Sequence, residues 1–243
     1  MSLGSIKALT VDTGGTVLDW HSGFKAAFAK VGQAHNIERD WGQMANDLRR
    51  RTMQMMLNLG ENEPPEYNFD DAHRKSLDAV LTEADLHQIT EAQRLEIAYE
   101  APHRFDAWPD VKPGLTRLRA LYPTVSFTLL SYRIIIDTAR QNGLTWDAVF
   151  SCEGMGVYKL LPEAYRKAAA FLQLDPAECL MVACHPFDLD AAKAVGFCTA
   201  LVRRPDEWGP NPDDRPTLPP ADTYDIEVDG FEDLANALER GIQ

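Results

Sequence analysis

The fold is decided by the stretch Ile6-Lys7-Ala8-Leu9-Thr10-Val11-Asp12-Thr13-Gly14-Gly15-Thr16. Its apolar and β-branched residues predict a short buried strand that ends at a carboxylate followed by two glycines. Glycine allows a sharp turn and the close approach of a ligand. Because open α/β sheets bind ligands at the carboxyl ends of their strands, Asp12 is a candidate nucleophile that forms a covalent ester. The alternative is an aspartate that only starts a turn or caps a helix.

Strand-like and helix-like runs alternate along most of the chain. Strands are predicted at Ala8–Val11, Thr124–Leu130, Cys179–Ala183, Cys198–Val202 and Asp225–Val228, and helices at Lys112–Leu121, Pro162–Leu172, Asp188–Val195 and Phe231–Arg240. This alternation predicts an α/β fold with a doubly wound, mostly parallel sheet. The segment Glu207–Ala221 contains five of the fifteen prolines and is predicted to be an irregular surface loop.

One long segment, from about Trp20 to His103, interrupts the alternation because it contains no convincing strand. Helical periodicity appears in it at Gly23–His35, Trp41–Leu59, Asp70–Leu81 and Glu91–Tyr99. We therefore predict a core formed by residues 5–19 and 104–243, with an all-helical insertion at residues 20–103. The insertion follows the strand that carries Asp12, which favours a cap that excludes water from a site. The alternative is an interaction module without a catalytic role.

Composition and charge exclude several classes of protein. The chain of 243 residues is 45% hydrophobic and 25% charged, as in ordinary globular proteins. Its net charge of −13 argues against binding to nucleic acid or to a membrane surface, but permits a small anionic substrate. No apolar stretch could span a bilayer, and the first residues lack a signal-peptide pattern. The four cysteines have no disulfide or metal-ligand spacing, so we expect a cytoplasmic location, with a homodimer left open.

Three further polar residues fall where later strands end. Ser131 closes the run Phe127–Leu130, Lys159 precedes the helix that opens near Pro162, and Asp188 follows the strand Cys179–Ala183. Each has an ordinary explanation, because such a serine is often a turn residue, a lone lysine is usually solvated, and Asp188 could cap a helix. Their joint spacing favours a shared site with Asp12.

In this order, the four segments resemble the motifs of the haloacid dehalogenase (HAD) superfamily. Asp12–Thr16 resembles the nucleophile loop, and Leu130-Ser131 resembles the second motif. Tyr158–Pro162 resembles the lysine motif, and Asp188 with Ala191–Gly196 resembles the fourth motif. The resemblance covers nearly the whole chain. It implies a Rossmann-like core with a helical cap inserted after the first strand, in agreement with the alternation described above.

Two positions indicate which branch of the superfamily the chain resembles. Phosphatases of the superfamily carry a second aspartate where this chain has Gly14, and an acidic Mg²⁺ ligand where it has Cys184. Because Mg²⁺ prefers oxygen ligands, a thiol is a poor substitute. The chain is instead similar to the metal-independent 2-haloacid dehalogenases, especially to a subgroup with an Ala-His-Asn-x-Asp-Leu pattern that Cys184–Leu189 resembles. Further support comes from Asp19-Trp20, Trp108–Val111 and Arg204–Pro210.

The resemblance implies a role for each catalytic candidate and requires no cofactor. Asp12 would attack the α-carbon of a small 2-haloalkanoic acid, and water would then cleave the aspartyl ester. Lys159 would neutralise the crowded carboxylates and keep Asp12 ionised. Asp188 would hold Lys159 and help orient or deprotonate the water. Thr16 and Ser131 would donate hydrogen bonds to Asp12 or to the substrate carboxylate.

Contacts with substrate are predicted less directly, because the chain departs from the family at several positions near the nucleophile and in the later motifs. Dehalogenases usually have an aromatic residue at the position of Gly14 and often an Asn at that of Tyr132, and Pro186 replaces another Asn. Tyr132 would fill the space that Gly14 leaves, and His185 would position water, contact an anion or make a structural hydrogen bond. The run Leu48–Arg51 contains the candidates for the cap arginine of the family. The alternative is that these arginines lie solvated on the surface of a helix. The predicted substrate-binding residues are His185, Tyr132, Thr13, Gly14, Arg49 and Arg51.

Three functional hypotheses follow. The first is a 2-haloacid dehalogenase. The second is a related hydrolase that acts on another small carboxylate through the same Asp12 ester. The third is a non-catalytic binding protein on this scaffold, which the joint presence of Asp12, Lys159, Ser131 and Asp188 disfavours because buried charges are costly. A Mg²⁺-dependent phosphatase is a distant fourth.

Overall fold

The computed structural model describes residues 5–57, 59, 66–211, 214–215 and 217–241. Its strands are β1 Ala8–Val11, β2 Thr124–Thr128, β3 Ala148–Ser151, β4 Cys179–Ala183, β5 Cys198–Val202 and β6 Ile226–Val228. They form one parallel sheet in the order β3-β2-β1-β4-β5-β6. The predicted doubly wound α/β fold is confirmed, with β1 at the point where the strand order reverses.

The sheet is buried on both faces, as parallel sheets require. Every residue of β1, β2, β4 and β5 is buried. In the register of the sheet, Val11 at the end of β1 lies opposite Ser126 of β2 and Val182 of β4. The carboxyl ends of these three strands therefore open onto the same edge, where side chains from the following loops meet.

The insertion after β1 is helical, as predicted. It contains α1 Trp20–Ala34, α2 Trp41–Met56, α3 Phe69–Glu83 and α4 Glu91–Leu95, followed by a π-helical turn Glu96–Glu100 and a 3₁₀ turn Pro102–Arg104. Side chains cap the first two helices, because Asp19 accepts from the Ser22 N–H and Asp40 from the Gln43 N–H. Helix α2 packs between α1 and α3. The domain limits at residues 20–103 stay a prediction, and residue 58 of the predicted helix Trp41–Leu59 lies outside the described residues.

The core helices are α5 Val111–Leu121, α6 Tyr132–Asn142, α7 Cys152–Met155, α8 Pro162–Phe171, α9 Pro186–Val195 and α10 Phe231–Gly241. Helices α5 and α10 pack together, as do α8 and α9. Strand β3 and helices α6 and α7 were not predicted. Strand β3 has only four residues, three of them partly exposed at the sheet edge, so its sequence lacks the apolar run of a central strand. Within the described residues, no helix is long and apolar enough to cross a membrane.

Candidate active site

The candidate site is centred on Asp12, directly after β1. The residue is 7% exposed, and its carboxylate contacts three side chains. Thr16 donates its hydroxyl to Oδ2 at 2.7 Å, the Lys159 Nζ lies 3.2 Å from Oδ1, and the His185 Nδ1 lies 3.2 Å from Oδ2. Burial opposes ionisation, but the Lys159 charge and the hydrogen bonds from His185 and Thr16 hold the pKa of Asp12 well below its ordinary value. Asp12 is therefore ionised, which is the form that a nucleophilic carboxylate requires.

Lys159 lies between two carboxylates. Its Nζ donates to Asp188 Oδ2 at 2.7 Å, and the Tyr165 hydroxyl donates to Asp188 Oδ1 at 2.6 Å. Burial disfavours the ammonium, yet Asp188 and Asp12 together raise the pKa of Lys159. The ammonium also lies 4.5 Å from the centroid of the Phe127 ring. Lys159, Asp188 and Thr16 are thus brought together with Asp12, and Tyr165 is an additional residue that fixes Asp188.

His185 connects Asp12 to a carboxylate that the sequence analysis did not select. Its Nε2 lies 2.9 Å from Glu207 Oε1, which also accepts a hydrogen bond from Trp20 Nε1 at 2.9 Å. Glu207 is 1% exposed, so the prediction that Glu207–Ala221 is a surface loop is wrong at this residue. Burial favours a neutral imidazole, but the neighbouring Cys184, Glu207 and Asp12 together hold the pKa of His185 well above its ordinary value. His185 is therefore an imidazolium between two carboxylates.

Arg49 of α2 reaches the nucleophile loop from the insertion. It is 4% exposed, and its guanidinium lies over the rings of Trp20 and Phe69 at 5.3 and 5.8 Å. Its Nη2 donates to the Gly14 carbonyl at 3.2 Å. A Cβ atom on Gly14 would lie 3.2 Å from Nη2, so the glycine leaves just enough room for the guanidinium. Arg49, and not Tyr132, thus fills the space beside Gly14.

These residues surround a small internal cavity. Its volume of about 20 Å³ is close to that of one water molecule. The polar wall includes Asp12, Arg49, Lys159, His185 and Asp188, with the backbone of Gly14. The apolar wall is formed by Met53, Leu57, Phe69, Leu129, Leu130 and Phe187. A larger cleft of about 910 Å³ outside shares Arg49, Met53, Leu57, His185 and Phe187 with the cavity, and so leads from the surface to Asp12.

Two predicted residues are displaced from the cavity by hydrogen bonds of their own. The Ser131 hydroxyl, at the start of α6, donates to Asp70 of the insertion at 2.6 Å and not to Asp12. The Thr13 hydroxyl is hydrogen-bonded to Ser126 Oγ at 2.8 Å and does not line the cavity. The structure therefore places neither the Ser131 hydroxyl against Asp12 nor the Thr13 hydroxyl in the cavity, and their contacts with substrate stay predictions.

Two other predicted residues lie on the surface. The Tyr132 side chain is 39% exposed and lies beside Gly154, because its position as the first residue of α6 directs the ring away from the cavity. Arg51 is two positions beyond Arg49 on α2, on a different face of the helix, and forms an ion pair with Glu83. Of the arginine run, only Arg49 lines the cavity. Tyr132 and Arg51 lie away from it, and their contacts with substrate stay predictions.

The chain is similar to proteins of known family and of known structure. The family model of haloacid dehalogenase-like hydrolases matches residues 6–196. The chain is 27% identical over 206 residues to (S)-2-haloacid dehalogenase 1 of Pseudomonas sp. (strain CBS-3), covering 82% of this chain and 85% of the relative. A defluorinating L-2-haloacid dehalogenase of known structure is 32% identical with a TM-score of 0.86, covering 96% of this chain and 95% of the other.

The fold is also similar to that of a structure that contains a covalent adduct. The L-2-haloacid dehalogenase of Xanthobacter autotrophicus, solved with chloropropionic acid covalently bound, has a TM-score of 0.80 at 24% identity. The similarity covers 98% of this chain and all of the other.

Proposed function

Because the chain belongs to the haloacid dehalogenase-like hydrolases, we propose that it releases halide from small 2-haloalkanoic acids through an ester on Asp12. The observation that carries this proposal is the buried, ionised Asp12 carboxylate, which faces a small cavity that Arg49 also lines. A carboxylate that attacks an sp³ carbon needs no proton removed, and a halide leaves without protonation. The attack therefore requires positioning and charge stabilisation, which Lys159 and Thr16 provide at Asp12.

Arg49 is the group that binds an anion in the first step. It is a buried cation that lines both the cavity and the outer cleft, and it contacts the nucleophile loop at Gly14. Its guanidinium can donate several hydrogen bonds to a carboxylate or to a departing halide. The negative net charge of the chain disfavours an anionic substrate, so this local positive charge is needed for binding.

His185 and Glu207 act in the second step. Esterification converts Asp12 into a neutral group, which removes one of the two negative charges that stabilise the imidazolium. The pKa of His185 then falls, and Nδ1 can lose its proton to solvent and accept one from a water molecule next to the ester. That water attacks the Asp12 carbonyl carbon, the ester bond breaks, and its second proton goes to the alcohol oxygen. Glu207 holds Nε2 and so orients the ring.

This chain lacks two groups that a Mg²⁺-dependent phosphatase of the superfamily needs, the second aspartate and the acidic metal ligand. Position 14 is glycine and cannot protonate a leaving group, and Cys184 offers sulfur where a hard cation requires oxygen. Burial raises the pKa of the Cys184 thiol, which keeps it neutral. These substitutions support a metal-independent reaction.

The free cysteines support a cytoplasmic location. We also propose that the protein forms a homodimer, which light scattering would test.

The proposal is tested by halide release without added metal. Fluoroacetate, chloroacetate and both enantiomers of 2-chloropropionate are supplied to the wild type and to Asp12→Asn, and halide is measured with an ion-selective electrode. Release that Asp12→Asn abolishes supports the dehalogenase. Absence of release from folded wild-type protein on every substrate contradicts it.

The alternative hydrolase acts on another small carboxylate through the same ester. It would release no halide, but would incorporate ¹⁸O from labelled water into Asp12 during turnover of that acid. The position of Asp12 between Lys159 and His185 favours either hydrolase over a binding protein, because the pairing of three buried charged groups is costly without a use.

A further inference from the structure

Cys184, His185 and Glu207 bring three different donor atoms together beside the cavity. Within the described part of the chain, they are the only His, Cys and carboxylate donors to gather in a group of three within 4.8 Å. Glu207 Oε1 lies 2.9 Å from His185 Nε2, and Glu207 Oε2 lies 3.6 Å from Cys184 Sγ. We infer that these three residues form a binding site for Zn²⁺ or a divalent cation of similar softness.

The spacing of the donors suits a tetrahedral ion. Bonds of about 2.3 Å to sulfur and about 2.0–2.1 Å to nitrogen and oxygen place neighbouring donors roughly 3.3–3.6 Å apart. The Sγ–Oε2 distance of 3.6 Å already has this value. The Nε2–Oε1 distance of 2.9 Å is that of a hydrogen bond, and it opens by a few tenths of an ångström when the ion replaces the shared proton.

Each of the three residues makes a further hydrogen bond or polar contact outside the cluster, as ligand residues do in established metal sites. The Nδ1 of His185 faces Asp12, an arrangement that directs Nε2 towards an ion. Trp20 Nε1 donates to Glu207 Oε1 at 2.9 Å. The backbone N–H of Cys184 donates to Thr16 Oγ1 at 2.9 Å and fixes the position of the thiol. The cluster is therefore preorganised for a ligand.

The donor set determines which cation binds and how it enters. Sulfur and imidazole favour Zn²⁺ and Co²⁺ over Mg²⁺ and Ca²⁺, which prefer oxygen. Cys184 lines both the cleft of about 910 Å³ and a second one of about 370 Å³, so an ion can reach the thiol from the surface. The nearby Arg49 charge opposes binding, while the carboxylates of Glu207 and Asp12 favour it.

Binding releases two protons, one from the Cys184 thiol and one from His185 Nε2, and water completes the coordination. The affinity therefore increases with pH. If the proposed function holds, the ion also separates His185 from Glu207 and inhibits ester hydrolysis. Zn²⁺ would then act as a reversible inhibitor of an enzyme that needs no metal for turnover.

The site is tested by titrating chelator-treated protein with Co²⁺, which reports thiolate coordination through a sulfur-to-cobalt charge-transfer band. The wild type is compared with Cys184→Ser and with Cys198→Ser, a matched change at another buried cysteine that lies in β5. We expect one Co²⁺ per chain with the band in the wild type and in Cys198→Ser. Cys184→Ser loses the band and weakens binding by more than the roughly 10- to 100-fold that loss of an outer hydrogen-bonding partner causes. Zn²⁺ displaces the Co²⁺.

No stoichiometric uptake by the wild type, uptake without the band, or a band that survives in Cys184→Ser would each overturn the inference. Glu207→Gln provides a second variant if Cys184→Ser does not fold, and it is expected to weaken binding while the band remains. Because this readout uses no substrate, it is independent of whether the protein releases halide. Inhibition by Zn²⁺ is measured separately, relative to the metal-free rate of each variant.

Discussion

The His185 Nδ1 lies 3.2 Å from Asp12 Oδ2, so the group that activates water in our proposal contacts the nucleophile itself. The Nε2 of the same ring lies 2.9 Å from Glu207. Ester formation removes the charge of Asp12 and leaves that of Glu207. The imidazole therefore changes from a paired imidazolium to a base at the point in the cycle where a base is needed.

Replacement of His185 is expected to trap the ester. His185→Gln keeps a hydrogen-bonding side chain but cannot accept a proton from water, so the first step proceeds and the second slows by roughly 10²- to 10⁴-fold. Rapid-mixing experiments should show a burst of one halide per active site, and mass spectrometry should detect substrate attached to Asp12. Asp12→Asn is the control and gives no burst. Unchanged steady-state turnover in His185→Gln would rule out this role.

Arg49 and Arg51 form a matched pair for testing anion binding. Arg49→Lys loses the planar fork beside Gly14, whereas Arg51→Lys alters a surface ion pair with Glu83. We expect Arg49→Lys to lower kcat/KM by roughly 10- to 150-fold, the equivalent of one charge-assisted hydrogen bond. Arg51→Lys should remain within about twofold of the wild type. Equal effects of the two changes would contradict the assignment of Arg49.

Lys159 is expected to contribute to stability as well as to activity. Lys159→Met leaves Asp12 and Asp188 buried without their cation, and loss of one partner of a buried ion pair costs about 3–5 kcal/mol. The same change at the surface residue Lys7, which pairs with Glu178, is the control and should have little effect on the free energy of unfolding. Urea denaturation measures both. The idea fails if the two variants are equally stable, or if Lys159→Met retains halide release.

The raised pKa of His185 predicts that the free energy of unfolding falls as pH rises above about 6.5. Its pKa is raised in the folded protein, so the folded state binds more protons than the unfolded state above about pH 6.5. The stabilisation is fully present below that pH and is lost as pH rises through the folded pKa. The free energy of unfolding of the wild type, relative to His185→Gln, should thus fall by up to about 1.4 kcal/mol per pH unit in this range. A flat or rising difference would contradict an imidazolium at this position.

The residues that the sequence predicted well are those that follow buried central strands. Asp12 comes directly after β1, and Asp188 lies in the first turn of α9, the helix that follows β4. The two strands are neighbours in the sheet, so their carboxyl ends bring these residues together. Lys159 lies beside them because a buried ammonium group needs carboxylates to neutralise its charge. These positions depend on local pattern and on general rules for parallel sheets.

The residues that the sequence did not identify depend on contacts between distant segments. Glu207 lies in a proline-rich stretch without periodicity, and only its hydrogen bonds with Trp20 and His185 explain its burial. Ser131 has the expected position, but its hydroxyl donates a hydrogen bond to Asp70, a carboxylate of the insertion. Glu207 lies within the segment Arg204–Pro210 that resembles the dehalogenases, but residue pattern alone does not separate its carboxylate from a surface charge.

The most direct test of the central claim is a single turnover in H₂¹⁸O with enzyme in excess over chloroacetate. If Asp12 forms the ester and water attacks its carbonyl carbon, the label enters the Asp12 carboxylate, and the peptide that contains Asp12 gains the mass of one ¹⁸O. The product of this first turnover then carries an unlabelled hydroxyl oxygen. Label found in the product and not in the peptide would mean that water attacks the substrate directly, and it would contradict the proposed mechanism.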